Sequence, residues 1–448
     1  MDNKKEGRDL TQGNLVKNML IIFFPLLFTN LLNSIYNVVD GIWIGKLVGE
    51  NGISVTTNVY PLLFIITAIG YGLSTATSVL IAQYYGAKDN NKLRRVVKVS
   101  VLSTFIFVFI FHLLMALTSN LWLKILGTPG EVWNATRSYF CIYLVAYFFN
   151  FILMNMTESL RAIGDTKMPI IFVTITTVLN IALDPILLKT SLGIDGAAIA
   201  TLIAILIGFV VALVYINTKS HLLSWNFKGV SFDKEILKQF IKISIPILLQ
   251  EWFIGIVLLF EVKVSNETGV EGSASYGIMS KLEQIVWIIG ASFKSMVTIF
   301  VGQFVGNKQF DDTKKIMIRS LEMAAMPSII VGIIVYVIPH QLCTIFIDNE
   351  VVIASAISFL RIMGIPFICA FFRNIVRGFI GGTGHTRFLF ISAIVAGIVE
   401  VSLIYFFKNQ GINNLKALGF AIIGYMTVET SMNVVYILSN KWKKSIIE

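Results

Sequence analysis

Charge is what this chain has least of. Asp, Glu, Lys and Arg make up only 14% of its 448 residues, whereas a soluble domain carries about 25%. A water-facing surface needs those charges, so an ordinary soluble fold is excluded. Cysteine is nearly absent. Cys141, Cys343 and Cys369 lie in or beside apolar runs without metal-ligand spacing, which excludes a disulfide framework and leaves them as small buried side chains. His112, His221, His340 and His385 are scattered. No zinc motif or nucleophile–base pair can be built from them, and the chain is not expected to be an enzyme or to carry a resident cofactor. No G-x-x-x-x-G-K-[ST] loop occurs, which removes ATP hydrolysis by this chain as an energy source. Alternating β-barrel patterning is also missing, so helices are the means left for spanning a bilayer. A cleavable leader is not expected, because the first apolar run is too long and lacks a small-residue cleavage site.

What is present is apolar. Hydrophobic residues make up 56% of the chain, and the mean hydropathy is +0.77. Runs long enough for one crossing, about 20 residues, recur from end to end. Helices are expected at 15–44, 53–83, 96–118, 132–158, 168–190 and 193–218, then at 238–265, 272–305, 316–339, 352–380, 387–407 and 415–439. The fold class is therefore an all-α polytopic membrane protein with twelve transmembrane helices.

The net charge of +10 is a matter of topology. With the N-terminus inside, the inner segments hold Lys4, Lys5, Arg8 and Lys17, then Lys88 to Lys98, Arg161, Lys167, and the basic residues of 219–242. They continue with Lys308 to Arg319, Arg373, Arg377 and Arg387, and end with Lys441, Lys443 and Lys444. The outer segments hold few: Lys46, Lys124, Arg137, Lys189, Lys408 and Lys416, with Lys263 at their edge. Such an asymmetry follows the positive-inside rule with both termini cytoplasmic, and it argues against a nucleic-acid partner.

The polar stretch 219–237 is the longest inter-helix connection. It divides the chain into an N-terminal six-helix bundle, 1–218, and a C-terminal one, 238–448. The halves repeat. Asp40 stands fifteen residues after Pro25, and Glu261 fifteen residues after Pro246. Gly70, Gln83, Gly86 and Lys88 match Gly290, Gln303, Gly306 and Lys308. Gly164-Asp165-Thr166-Lys167 matches Gly384-His385-Thr386-Arg387, and Asn180 falls opposite Glu400. Six helices per half give both halves the same orientation, a parallel repeat of the kind many transporters use, with the substrate path between the repeats.

Acidic groups inside apolar helices are the functional candidates, because each is costly there by about 2.5–3.5 kcal/mol even on the lenient insertion scale. Asn30, Asn33, Asn37 and Asp40 are spaced three, four and three apart, so they share one stripe of the first helix. Tyr36 lies beside it. Helix–helix hydrogen bonding accounts for the asparagines; Asp40 is read as functional. Asn180 and Asp184, four apart, share a face of the fifth helix. The alternative for Asp184 is that Asp-Pro simply ends that helix. Counted at about 1.5 Å per residue, Asp40, Asp184 and Thr201 reach a similar depth in the outer half of the bilayer. Two carboxylates, an amide oxygen and a hydroxyl are hard oxygen ligands suited to H⁺ or Na⁺, and two adjacent carboxylates favour holding a proton between them. In the second half, Glu251, Glu261, Glu400 and Glu429 would line a negative wall suited to a cationic substrate. The alternative for each is a hydrogen bond or an ion pair, with Lys294 or Arg361 as the intramembrane cation. Lys281 and Glu283 are expected to snorkel at the outer end of the eighth helix. Glycine-rich patches such as 193–201 are read as close helix packing.

With VVDGIWIGKLVG at 38–49, AQYYGAKD, LRAIGDTKMP at 160–169, LNIALDP at 179–185, DGAAIAT at 195–201 and RGFIGGTGHTR at 377–387, the chain resembles the MATE (multidrug and toxic compound extrusion) family of the MOP flippase superfamily. The resemblance covers essentially the whole chain. It implies two six-helix bundles forming a V, and an antiporter that exchanges a cation gradient, H⁺ or Na⁺, for export of amphipathic, often cationic, drugs. The bacterial DinF-like branch has its cation site in the N-terminal bundle, and the matching residues here are Asp40, Asn180, Asp184 and Thr201. Tyr36, Asn33, Asn37, Glu251, Glu261 and Glu400 are the substrate or accessory coupling candidates. A NorM-like site in the second half is not matched: Glu251 and Glu261 lack that branch's spacing from Pro246, and the tenth helix has no carboxylate before Arg377. The chain is accordingly expected in a bacterial cytoplasmic membrane as a monomer, with lipid and an amphipathic small molecule as partners. A lipid or oligosaccharide-precursor flippase and a non-transporting receptor or scaffold are the rival readings.

Overall fold

The structure is a computed structural model that describes residues 6–444, 446 and 447; the basic residues Lys4 and Lys5 lie outside the described residues. It is all-helical. The first half comprises α1 (Leu15–Leu47), α2 (Glu50–Gly86), α3 (Asn90–Leu117), a short α4 (Ser119–Ile125), α5 (Trp133–Ala162), α6 (Lys167–Leu188) and α7 (Asp195–Lys219). The second comprises α8 (Lys234–Asn266), α9 (Gly269–Gly306), α10 (Thr313–Val337), a short α11 (Pro339–Thr344), α12 (Glu350–Thr383), α13 (Thr386–Asn409) and α14 (Asn414–Leu438). Among the described residues, twelve helices are long and apolar enough to cross a membrane. The hydropathy runs predicted these twelve with ends displaced by a few residues. The short α4 and α11 were not predicted, because each covers less than two turns and has no periodicity to read.

By its internal contacts the chain forms two compact units. One contains residues 24–248 with the N-terminal segment to Gln12, and the other contains 249–446 with residues 13–23. Each unit is built the same way. In the first, α2 packs on α5, and α6 on α7; in the second, α9 packs on α12, and α13 on α14. The second helix of each set, α2 and α9, is the most buried span. The lipid-facing side is apolar instead: Met326, Ile329, Ile330, Ile333 and Val337 form an exposed stripe along α10, at the spacing of one helix face.

The repeat extends to backbone conformation. Lys88 and Lys308, at matched positions after α2 and α9, have φ of 58° and 60°. Gly164 and Gly384, at matched positions before α6 and α13, have φ of 82° and 83°. A lysine in the left-handed region is uncommon, so the same conformation twice points to the same helix-ending turn. Lys88 N–H donates to Tyr85 O and Lys308 N–H to Val305 O, each at 3.0 Å.

Close helix approach in the second unit depends on Gly378 and Gly382, four apart on α12. A Cβ at Gly378 would stand 2.5 Å from Lys294 O, and one at Gly382 2.6 Å from Thr298 O. Thr298 Oγ1 bonds both Lys294 O (2.8 Å) and Gly378 O (3.1 Å) across this contact. Small residues four apart are a standard means of bringing membrane helices together. Gly382→Val is expected to separate α12 from α9 and cost about 1–3 kcal/mol, read as a lower midpoint of thermal unfolding in detergent.

The 219–237 connection is tied to the first unit. Arg95 Nη1 meets Asp233 Oδ2 at 3.3 Å, Lys98 Nζ bonds Val230 O, and Arg94 Nη2 bonds Asn226 O at 3.1 Å. The Glu6 carboxylate accepts from Ser220 Oγ (2.8 Å), from Leu222 N–H (3.0 Å) and from His221 N–H. Asp233 also caps α8, accepting from Glu235 N–H (2.9 Å) and Ile236 N–H (3.3 Å). Partial burial pushes its carboxyl upward, but the Ile236 amide, Arg95 and the Glu235 amide outweigh that and hold it below its ordinary value. Its contribution is therefore present above the ordinary carboxylate pKa and is lost as pH falls through the lowered one. Asp233→Ala is expected to weaken the first turn of α8 by about 0.5–2 kcal/mol, seen as faster amide exchange at Glu235 and Ile236.

Candidate functional site

In the first unit, polar side chains of α1, α5, α6 and α7 meet inside the apolar bundle. Asn180 and Asp184 lie one turn apart on α6, and Asn180 Nδ2 donates to Asp184 Oδ1 at 3.2 Å. The same amide donates to Thr201 Oγ1 on α7 at 3.1 Å. Tyr36 of α1 joins through its hydroxyl, 3.2 Å from Thr201 Oγ1, and Tyr143 of α5 through its own at 3.4 Å. Thr201 is thus the hub of three helices besides its own. The Asp40 and Asp184 carboxyls are in hydrogen-bonding contact. Asp184, Asn180 and Thr201 are 0%, 2% and 3% exposed, which places them beyond the reach of bulk water.

Three oxygens in this set find no protein donor: Asp40 Oδ1, Asp184 Oδ2 and Asn180 Oδ1. All three are acceptors, and a buried acceptor without a partner costs about 1–3 kcal/mol, more when charged. Only a proton, a cation or water can relieve it. Carboxylate, amide and hydroxyl oxygens are the donor set that hard monovalent and small hard divalent cations prefer. Pro185 does not end α6, which runs on to Leu188; Asp184 is consequently a helical side chain inside the bundle rather than a helix terminator.

The other predicted residues are placed differently. Asn33 and Asn37 are exposed on α1 and take no part in this hydrogen-bonded set. In the second unit, Glu261 of α8 and Glu400 of α13 are 7% and 2% exposed and their carboxyls are in contact. Tyr276 of α9 donates its hydroxyl to Glu261 Oε2 at 2.7 Å. Glu251 lies ten residues back along α8, half-buried, about 15 Å away along the axis, and does not join them.

Glu429 departs from the sequence reading. It is fully buried on α14 and forms an ion pair with Arg373 Nε at 2.5 Å, with Arg377 Nε 3.7 Å away. Those arginines were counted among the inner basic residues. Their positions on α12 put both side chains inside the bundle, against Glu429. Arg361, the partner considered from sequence, is exposed, and Lys294 is the cation that does stand near Glu429. The second-half wall is therefore less negative than its glutamates alone suggest. Glu429 is held by Arg373, whose guanidinium also lies 5.1 Å from the centre of the Tyr425 ring.

Sequence reasoning missed the tyrosines of α5. Tyr139, Tyr143 and Tyr147 follow one another in tilted ring contact, with ring centroids 4.7 and 5.8 Å apart, and Tyr143 reaches Thr201. Their spacing of four in YFCIYLVAY was the available signal, but an aromatic stripe on an apolar helix is most often packing. Asn155 was missed too. Its amide donates to Thr77 (2.8 Å) and Thr104 (3.1 Å), pinning α5 to α2 and α3.

The MatE family model matches residues 25–186 and 246–406, one copy in each half. Among curated proteins, the chain is 27% identical over 346 residues to the probable multidrug resistance protein YoeA of Bacillus subtilis, covering 75% of this chain and 74% of that one. It is 26% identical over 449 residues to the multidrug export protein MepA of Staphylococcus haemolyticus, covering 98% and 97%. Among solved structures, a crystal structure of MATE in complex with MaD3S superposes with a TM-score of 0.90 at 21% identity, over 97% of this chain and 98% of that one. A MOP superfamily transporter from Pyrococcus furiosus superposes with a TM-score of 0.90 at 22% identity, over 99% and 100%. The two matched segments together span well over half of the sequence, and the chain belongs to the MatE family.

Proposed function

We propose that this protein is a cation-coupled antiporter that exports amphipathic organic compounds, organic cations among them, across the bacterial cytoplasmic membrane. In this reading both termini are cytoplasmic and the chain acts as a monomer. The observation that carries the reading is the set of three donorless oxygens on Asp40, Asp184 and Asn180, buried together and held by Thr201 and Tyr36. A proton or Na⁺ entering there offsets one of the two facing negative charges, relieves their repulsion and draws α1 and α6 together. An empty site repels them. The two states differ in free energy by the cation's binding, which is all that coupling requires, provided the cargo favours the cation-free packing. The relatives, the multidrug export protein MepA and the probable multidrug resistance protein YoeA, support the cargo class. Glu251 and the Glu261–Glu400 pair are the acidic groups available to a cationic cargo or to accessory coupling.

The test is flux in proteoliposomes with a fluorescent organic cation, driven by a Na⁺ gradient and by a pH gradient in separate experiments. Flux under one gradient identifies the coupling ion. Flux under neither overturns the antiporter reading and directs the next assay to a labelled anionic lipid, the cargo for which the cations within the second-unit helices, Arg373, Arg377 and Lys294, would be suited.

A further inference from the structure

Asp40 has a counterpart in the second unit, and that counterpart is a carboxyl pair complete in itself. Glu261 takes the place of Asp40 on the first helix of its repeat, and Glu400 takes the place of Asn180 on the fifth. The amide of the first unit is thus a second carboxyl here. The other two positions have become apolar: Ile404 stands where the repeat has Asp184, and Ala421 where it has Thr201. The two glutamates are buried, with their carboxyls in hydrogen-bonding contact. One oxygen is already supplied, since Tyr276 donates to Glu261 Oε2 at 2.7 Å. Another is not: Glu400, 2% exposed, has Oε1 buried without a donor.

The charged and titratable groups around the pair come from three neighbouring helices. They are Glu283 with Tyr276 on α9, Arg373 on α12, and Tyr425 on α14. Arg373 is the nearby cation, and its Nε is committed to Glu429. Among the described residues, no salt bridge joins a cation to either glutamate of the pair. Two ionised carboxylates in contact inside an apolar bundle repel strongly, whereas one proton between them converts the contact into a short charge-assisted O–H···O bond. Tyr276 already donates to Oε2 of Glu261.

We propose that Glu261 and Glu400 form a second proton-binding site, separate from the first-unit set, which holds one proton shared between the two carboxyls. The site exists whether or not the first-unit set binds a cation. If the protein is the antiporter described above, the site adds a proton-linked step in the second unit.

Infrared difference spectroscopy on the full chain in liposomes, titrated from acid to alkaline pH, tests this directly. A protonated-carboxyl C=O band that disappears on deprotonation is expected. One component should be missing in both Glu261→Gln and Glu400→Gln, shifted in frequency in Tyr276→Phe, and retained in Asp184→Asn. Should Glu261→Gln fail to fold, Glu400→Gln and the Tyr276→Phe shift carry the test. A spectrum unaltered by either glutamate substitution overturns the proposal. Loss of the same component on adding Na⁺ at constant pH overturns the proton assignment in favour of a sodium site. Failed flux in the transport assay leaves this band unaffected, so the two readings stand or fall separately.

Discussion

Asp40→Asn protein is expected to fold, reach the membrane and lose gradient-driven export. The substitution keeps the size of the side chain and its place against Asp184 while removing one charge from the set of unpartnered oxygens. A hydrogen bond to a charged group is worth about 1.5–3 kcal/mol, so cation affinity should fall roughly 10- to 100-fold. Flux at a fixed gradient should fall with it. Asp184→Asn should behave alike, because both carboxyls face the same space. Tyr36→Phe should lose less, because Thr201 keeps its bonds to Asn180 and Tyr143. The measurement is initial flux against cation concentration for the four proteins at matched reconstitution. An Asp40→Asn protein with an unchanged ion dependence would remove Asp40 from the coupling site.

The largest stability effect is expected from Glu429→Gln. Its fully buried carboxylate is the counter-ion of Arg373 and stands 3.7 Å from Arg377. Among the described residues, Nε and Nη2 of Arg377 are already buried without a hydrogen-bond partner. Neutralising Glu429 leaves two guanidinium groups inside the bundle without the carboxylate that pairs with them. Breaking a buried pair from one side costs about 3–5 kcal/mol, whereas removing both partners is often nearly neutral. Thermal unfolding in detergent should therefore show a steep loss for Glu429→Gln and for Arg373→Gln separately. The double variant should recover part of it, so that the two single costs exceed the double one. Equal and additive costs would mean that the pair contributes nothing beyond its two side chains.

Much of this protein was legible without coordinates, and the reason is the solvent it folds in. A bilayer leaves helices or a closed barrel as the spanning options. Twelve apolar runs without alternation therefore determined twelve spanning helices, and matched glycines, prolines and acids determined that the halves repeat. The i,i+4 spacing of Asn180 and Asp184 determined that they share a helix face. What sequence spacing cannot supply is which face of one helix meets which face of another. Counting depth put Thr201 level with Asp40 and Asp184, but its place as the hub of Asn180, Tyr36 and Tyr143 came only from the packing of α7 against α5 and α6.

The same limit governs the arginines. Arg373 and Arg377 look like inner-end topology charges in the sequence, because near a helix end only their number counts. The tertiary structure decided otherwise by setting Glu429 of α14 directly against them, since a charge inside an apolar bundle persists only beside its opposite. Hydropathy, period and repeat are properties of one helix at a time, and the sequence determined them. The pairing of Glu261 with Glu400, and of Glu429 with Arg373, depends on helices distant in the chain, and packing alone brought those partners together.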